Sequence, residues 1–140
     1  MDKTQIIASL NAGTPAFIRL LGGEITDVDP DTQSCTFSYS VPLDYCHSGD
    51  IVQGGFVTAM LDAAMAHACF AHLDGVVRLS SYEITTRFLG ITRGYEPLRV
   101  SGWIRKATYK TAFQEAQINT GDGEVTAVAH SVAKLARNSQ

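Results

Sequence analysis

The sequence predicts an α+β fold, an antiparallel sheet of about six strands curled around one long apolar helix. Three observations carry this reading. Residues 55–72 (GFVTAMLDAAMAHACFAH) hold no proline and no glycine after Gly55, and they are rich in Ala, Met and Leu, which favour helix. Residues 33–41 alternate, with Cys35, Phe37, Tyr39 and Val41 on one side and Ser34, Thr36, Ser38 and Ser40 on the other, the period of a half-buried strand. Four strand-like runs then follow the helix with only turns between them, whereas a doubly wound parallel sheet would need a helix after most strands.

The elements follow in order. Residues 2–10 have a helical pattern (Ile6, Ile7, Leu10) that stops at Asn11 and Gly13. Thr14-Pro15 reads as an N-cap followed by proline in the first turn of a short helix, Ala16–Leu21, ended by Gly22-Gly23. Residues 24–29 form a strand closed by the turn Asp29-Pro30-Asp31, and a polar loop over 42–53 separates the alternating strand from the long helix. Being apolar nearly all round, that helix is expected to be buried on most faces. The strands after it are 77–89, 97–106, 110–119 and 124–135, divided by Asp74-Gly75, Gly94, Ala107–Tyr109 and Gly121-Asp122-Gly123.

Composition bounds the function. At 140 residues the chain is expected to be a single domain over 1–140, and 45% hydrophobic with 18% charged residues is too apolar for disorder. Eleven Lys plus Arg against 14 Asp plus Glu give a charge of −3, which offers no basic excess for a nucleic acid. Three cysteines (Cys35, Cys46, Cys69) cannot all pair, the N-terminus lacks a signal-peptide pattern, and Asp62 and His67 interrupt the best candidate for a membrane span. A cytoplasmic protein without a membrane partner is the expectation.

Several chemistries lack their residues. There is no G-x-S-x-G elbow, no phosphate-binding G-x-x-x-x-G-K-[ST] loop, no C-x-x-C pair, and His67 and His72 are five apart rather than four. What remains is the stretch from His47 to Gly55, which leads into the helix carrying Asp62. A glycine pair at a helix N-terminus leaves amides unpaired and unobstructed by Cβ, able to polarise a carbonyl and hold an oxyanion; the same pair also suits a tight turn. Asp62 is the only acidic residue between Asp50 and Asp74, on a helix otherwise of Phe, Val, Ala, Met and Leu. Such a carboxylate must be paired, neutralised or facing a cavity, and in a partly apolar cleft it can act as base or nucleophile. Gly54 and Asp62 lie eight residues apart, about 12 Å along a helix axis. If both serve one site, a second copy of the helix supplies the missing half, as a two-fold dimer with antiparallel helices would.

The run Val52-Gln53-Gly54-Gly55-Phe56-Val57-Thr58-Ala59-Met60-Leu61-Asp62-Ala63-Ala64 resembles the helix-start motif of hotdog-fold acyl-CoA thioesterases of the phenylacetate-pathway, PaaI-like type. The strand Ser81–Leu89 and those after it match the rest of the pattern, so the resemblance covers roughly residues 15–135. It implies a hotdog fold in dimers or tetramers that hydrolyses an acyl-CoA thioester with no metal or cofactor, CoA being part of the substrate. By motif position the Gly54 N–H holds the thioester oxygen, and Asp62 from the partner chain is nucleophile or general base. His47 stands where the family has Asn or Gln near the carbonyl, and Ser81 where a Ser or Thr assists the water. Gln53 replaces the family's His, and because the next residue's backbone does the work this exchange is expected to cost little. His47 in place of an amide is the larger departure, since it can titrate near neutrality.

Gln53, Gly55 and Phe56 are expected to contact substrate beside Gly54; Phe56, Met60 and Phe70 are expected to pack in the core, with a place in the acyl-pocket wall as the alternative for Phe56 or Met60. Arg93, Arg105 and Lys106, with Lys110, are candidates for the CoA phosphates, although exposed cations are the norm. His67, His72 and His130 carry no assigned role. Two other functions remain open: a hotdog hydroxyacyl-thioester dehydratase pairing His47 with Asp62, and an acyl-CoA binding domain without catalysis.

Overall fold

The computed structural model describes residues 1–138. Helix α1 (Lys3–Ala12) starts at a reciprocal cap: the Asp2 carboxylate accepts the Gln5 N–H and the Gln5 amide accepts the Asp2 N–H, both at 2.9 Å. Near its end Asn11 clasps the sheet, donating to the Ile25 carbonyl at 2.9 Å and accepting the Ile25 N–H at 2.8 Å. In α2 (Ala16–Leu20) the N-cap position is Pro15 rather than Thr14. The Thr14 hydroxyl instead donates to the Asn11 carbonyl at 3.1 Å, closing the turn out of α1.

Strands β1 (Gly23–Asp29) and β2 (Ser34–Tyr39) follow, and Cys35, Phe37 and Tyr39 all point into the core as their alternation required. The loop over 42–53 has structure of its own, a 3-10 turn at Leu43–Tyr45 and a small hairpin of β3 (Cys46–His47) with β4 (Ile51–Val52). Then come α3 (Gly54–His72), β5 (Val76–Phe88), β6 (Leu98–Ala107), β7 (Thr111–Thr120) and β8 (Val125–Arg137). The six long strands form one sheet in the order β1-β2-β6-β7-β8-β5, antiparallel throughout. Thus β5, although it leaves α3 first, pairs with the last strand and forms an edge.

The sheet can wrap α3 because one row of small side chains crosses it. The register aligns Cys35, Gly102, Ala116 and Ala129 on four neighbouring strands, all directed at the helix. A Cβ added at Gly102 would come within 2.4–2.5 Å of backbone atoms of Ala64 and Met65. Helix backbone cannot yield as a side chain can, so Gly102→Ala should destabilise by about 2–3 kcal/mol. Urea unfolding followed by circular dichroism checks this, and a change under 0.5 kcal/mol would refute the close-contact account.

Helix α3 is less enclosed than its composition predicts. Met60, Leu61, Ala64, Met65, Ala68 and Cys69 are sealed in the core, whereas Thr58, Ala59, Asp62, Ala66 and Phe70 form a half-buried stripe. By length and composition α3 could cross a membrane; here its apolar residues supply the centre of the core.

Candidate active site

The uncovered stripe of α3 lies alongside β5, running in the opposite direction. Three contacts fix the pair in register. A Cβ on Gly54 would sit 3.3 Å from the Phe88 ring, Thr58 Oγ1 lies 3.0 Å from Thr86 Oγ1, and Ser81 Oγ donates to Asp62 Oδ1 at 3.2 Å. Ser81, exposed on the edge strand, faces α3 because it pairs with Ala133, a buried residue of β8, just before a bulge between Ser81 and Glu83.

Ser81 is the only side-chain partner of Asp62 among the described residues, and no cation approaches it. Burial holds its carboxyl above the ordinary value of 3.8, and the Ser81 hydrogen bond pulls it partway back. Asp62 opens onto a cavity of about 550 Å³, within the usual range for small-molecule sites. Its apolar walls come from Leu10 and Phe17 of the N-terminal helices, Phe70 of α3, and Val76, Val77 and Leu79 of β5. Burial raises the thiols of Cys35 and Cys69, both sealed in the core, to about 12 and that of Cys46 less far, which disfavours the thiolate at each. No cluster of three or more His, Cys, Asp or Glu is placed to hold a metal among the described residues.

At the start of α3, the Gln53 side chain accepts the Gly55 N–H at 2.7 Å, and the Gln53 carbonyl accepts the amides of Phe56 and Val57. The Gly54 N–H has no acceptor among the described residues. The sequence suggested two open amides here, but Gln53 takes one of them as its cap, and only Gly54 presents a free donor. The Gln53 N–H in turn donates to the Tyr45 carbonyl at 3.0 Å, and Phe56 meets the Tyr45 ring edge-on at 5.0 Å. The 3-10 turn and hairpin therefore anchor the helix tip.

The remaining candidates divide by position. Arg93 lies beside the β3–β4 hairpin and pairs with Asp50 at 2.8 Å, both half-exposed. His47 is exposed on the hairpin with Nδ1 3.0 Å from Ser48 Oγ, and it makes no hydrogen bond to Asp62. Arg105 and Lys106 are exposed beyond Ile104, whose amide donates to the Gln33 carbonyl, and His72 at the end of α3 reaches the neighbouring Ser34 carbonyl. That places the two cations near the C-terminal end of a helix about 27 Å long, so one chain does not bring them to Gly54. The reading from sequence left out His67, which lies on the cavity wall with Asp62. Five residues is not a same-face spacing on a helix, so no sequence signal joined it to Asp62.

The description "Thioesterase superfamily" belongs to the family model that matches residues 49–127. No curated protein sequence matches the chain. The PaaI protein of the Escherichia coli phenylacetic acid degradation operon has a similar structure, with a TM-score of 0.82 and 17% identity over 95% of this chain and 93% of that one. A phenylacetic acid degradation-related protein of Ralstonia eutropha JMP134 gives 0.81 and 23% over 92% and 98%. A Streptococcus mutans UA159 protein solved bound to acetyl CoA gives 0.75 and 9% over 85% and 92%. At these identities the structural likeness is one of fold, the hotdog arrangement of a sheet wrapped on one helix. Because the family match spans more than half of its length, the chain belongs to the thioesterase superfamily, and with it to the thioester hydrolases.

Proposed function

We propose that the chain hydrolyses an acyl-CoA thioester at a site completed by a second copy, with Asp62 of one copy facing the Gly54 N–H of the other. The observation that carries this is the Asp62 carboxylate, desolvated, bound to one hydroxyl and open to an apolar cavity. The ionised carboxylate takes a proton from water, which attacks the thioester carbon, or attacks that carbon itself to give an acyl–Asp62 anhydride that water hydrolyses once the thiolate has left. The carbonyl oxygen becomes an oxyanion, and a free amide at the positive end of a helix suits it. The thiolate then leaves without prior protonation, being the anion of a thiol with a pKa of roughly 8.5. The acetyl CoA bound to the Streptococcus mutans neighbour is in keeping with such a substrate.

Support for a second copy comes from two features. Asp62 and Gly54 of one chain are eight residues apart on α3, about 12 Å along its axis. Strand β5 is a 13-residue edge carrying exposed Val77, Tyr82 and Phe88, the kind of edge proteins normally cover. Sedimentation equilibrium should give a dimer or a larger even assembly, and an active monomer would overturn the shared site.

Ser81 supplies a pH test. Hydrolysis needs Asp62 ionised, so kcat/KM should fall as pH drops through its raised pKa. Losing the Ser81 hydrogen bond raises that pKa further, since the bond favours the charged form. Ser81→Ala should therefore move the acid limb of the pH profile to higher pH, with the largest loss of kcat/KM at the pH values of that limb. An acid limb that stays in place would detach Ser81 from Asp62.

The sharpest test of the reaction itself is a panel of acyl-CoAs with a thiol reagent. Release of free CoA is expected; an enoyl product without thiol would indicate dehydration, and retention of intact acyl-CoA would indicate binding alone.

A further inference from the structure

His67 shares the cavity beside Asp62, and the mechanism above leaves it unused. The imidazole is held tightly: Nδ1 lies 2.8 Å from the Ala63 carbonyl, one turn back along α3, and its ring meets Phe37 and Phe70 edge-on at 5.4 Å each. A carbonyl can only accept, so Nδ1 must carry the proton. Burial lowers the pKa of His67, which keeps the ring neutral. In a neutral ring with a proton on Nδ1, Nε2 is an acceptor. Among the described residues it has no hydrogen-bond partner, and the sealed polar atoms left unpaired there are Tyr39 Oη, Gln114 Oε1 and Ser131 Oγ, so Nε2 is not sealed. The residue as a whole is 7% exposed and lines the cavity. Nε2 is therefore a fixed acceptor set in an otherwise largely apolar wall.

We propose that His67 is a specificity-determining residue, whose Nε2 accepts a hydrogen bond from a hydroxyl at the far end of an acyl group seated beside Asp62. This rests on the thioesterase reading of Asp62 and adds the chemistry of its acyl group. The position of the hydroxyl follows from the helix. His67 is five residues beyond Asp62, about 7.5 Å along the axis. The two side chains also leave α3 about 140° apart around its axis, so the gap across the cavity they both line exceeds this rise. A hydroxyl on the second or third carbon of the acyl chain falls short of it, and only one on the sixth carbon or beyond has the reach. An apolar acyl group without a donor fills the same space but leaves Nε2 stripped of its water and unpaired, which costs binding energy.

The test compares hexanoyl-CoA, 3-hydroxyhexanoyl-CoA and 6-hydroxyhexanoyl-CoA as substrates of the full chain. The 6-hydroxy substrate should exceed the other two in kcat/KM by about 10-fold. The ratio is read rather than either rate, so a loss common to all substrates does not disturb it. In His67→Phe, which keeps an aromatic ring between Phe37 and Phe70, the ratio should fall to near one. In His67→Gln, which retains a side-chain acceptor, part of the preference should return. Hydrolysis of all three at equal rates by the unaltered protein would overturn the role of His67 and leave the thioesterase reading intact. A preference that survives in His67→Phe would do the same. Hydrolysis of none would overturn the Asp62 reading and this inference with it.

Discussion

Asp62→Asn should lower kcat/KM for acyl-CoA hydrolysis at least about 100-fold, and at neutral pH it should melt at a higher temperature than the unaltered protein. The two effects have one cause. A carboxylate held half-buried against an apolar cavity, with one hydroxyl and no cation for partner, is poorly solvated. That makes it a strong base or nucleophile and a burden on the fold. Its pKa is higher folded than unfolded, so the native chain holds the proton more tightly. Stability therefore falls as pH rises from the ordinary value of 3.8 through the raised one, and the full cost is present at neutrality. Asparagine never ionises and escapes that cost while keeping the shape. The melting-temperature gap between the two proteins should be widest near neutral pH and should shrink below about pH 4. An active Asp62→Asn protein would end the proposed mechanism; an inactive one that is also less stable at neutrality would mean the carboxylate is a structural anchor.

Gly54→Pro should cost a comparable amount, about 100- to 1,000-fold in kcat, the usual loss for one oxyanion donor. Proline removes the N–H that no described residue accepts, and position 54 is where a helix tolerates it best. Gly54 is the first residue of α3, a position that proline favours. Gln53 before it is already extended, at φ −62° and ψ 139°, the conformation a following proline demands. The ring must press on Phe88, which a Cβ would approach to 3.3 Å, so Gly54→Ala is the control for crowding. The alanine variant keeps the N–H and should remain at least about 10-fold more active than the proline variant. Equal losses in both would assign the effect to Phe88 and not to the amide.

The same pair of variants tests the shared site. If Asp62 of one copy serves Gly54 of the other, mixing inactive Asp62→Asn with inactive Gly54→Pro restores one intact site in each mixed dimer. Refolding the two together should recover about a quarter of the original activity, since half of random dimers are mixed and each has one good site of two. No recovery would place both groups in one chain.

Much of this was legible in the residues. The serine-faced alternation of 33–41 could fit only one register, because slipping it by one would bury Ser34, Thr36 and Ser38 and expose Phe37 and Tyr39. A lone Asp in an apolar helix marked itself, since a carboxylate in such company needs a reason. Gln53 was harder. Its identity suggested a replaced histidine, whereas its side chain caps α3 and takes the Gly55 amide. His67 could not be separated from a packed core histidine by spacing alone, because the cavity beside it is walled by residues as distant in sequence as Leu10 and Leu79.

The sequence by itself determined the long helix, the six long strands, their order and the inward face of the strand over 33–41, because periodicity and turn chemistry act over a few residues and need no distant partner. Only the tertiary structure decided that β5 closes the sheet beside β8, that Ser81 meets Asp62, that α3 keeps one stripe uncovered, and that Arg105 and Lys106 end up far from Gly54. Those outcomes depend on which strands pair across tens of residues and on a row of small side chains deep enough to seat a helix, and no local pattern encodes either.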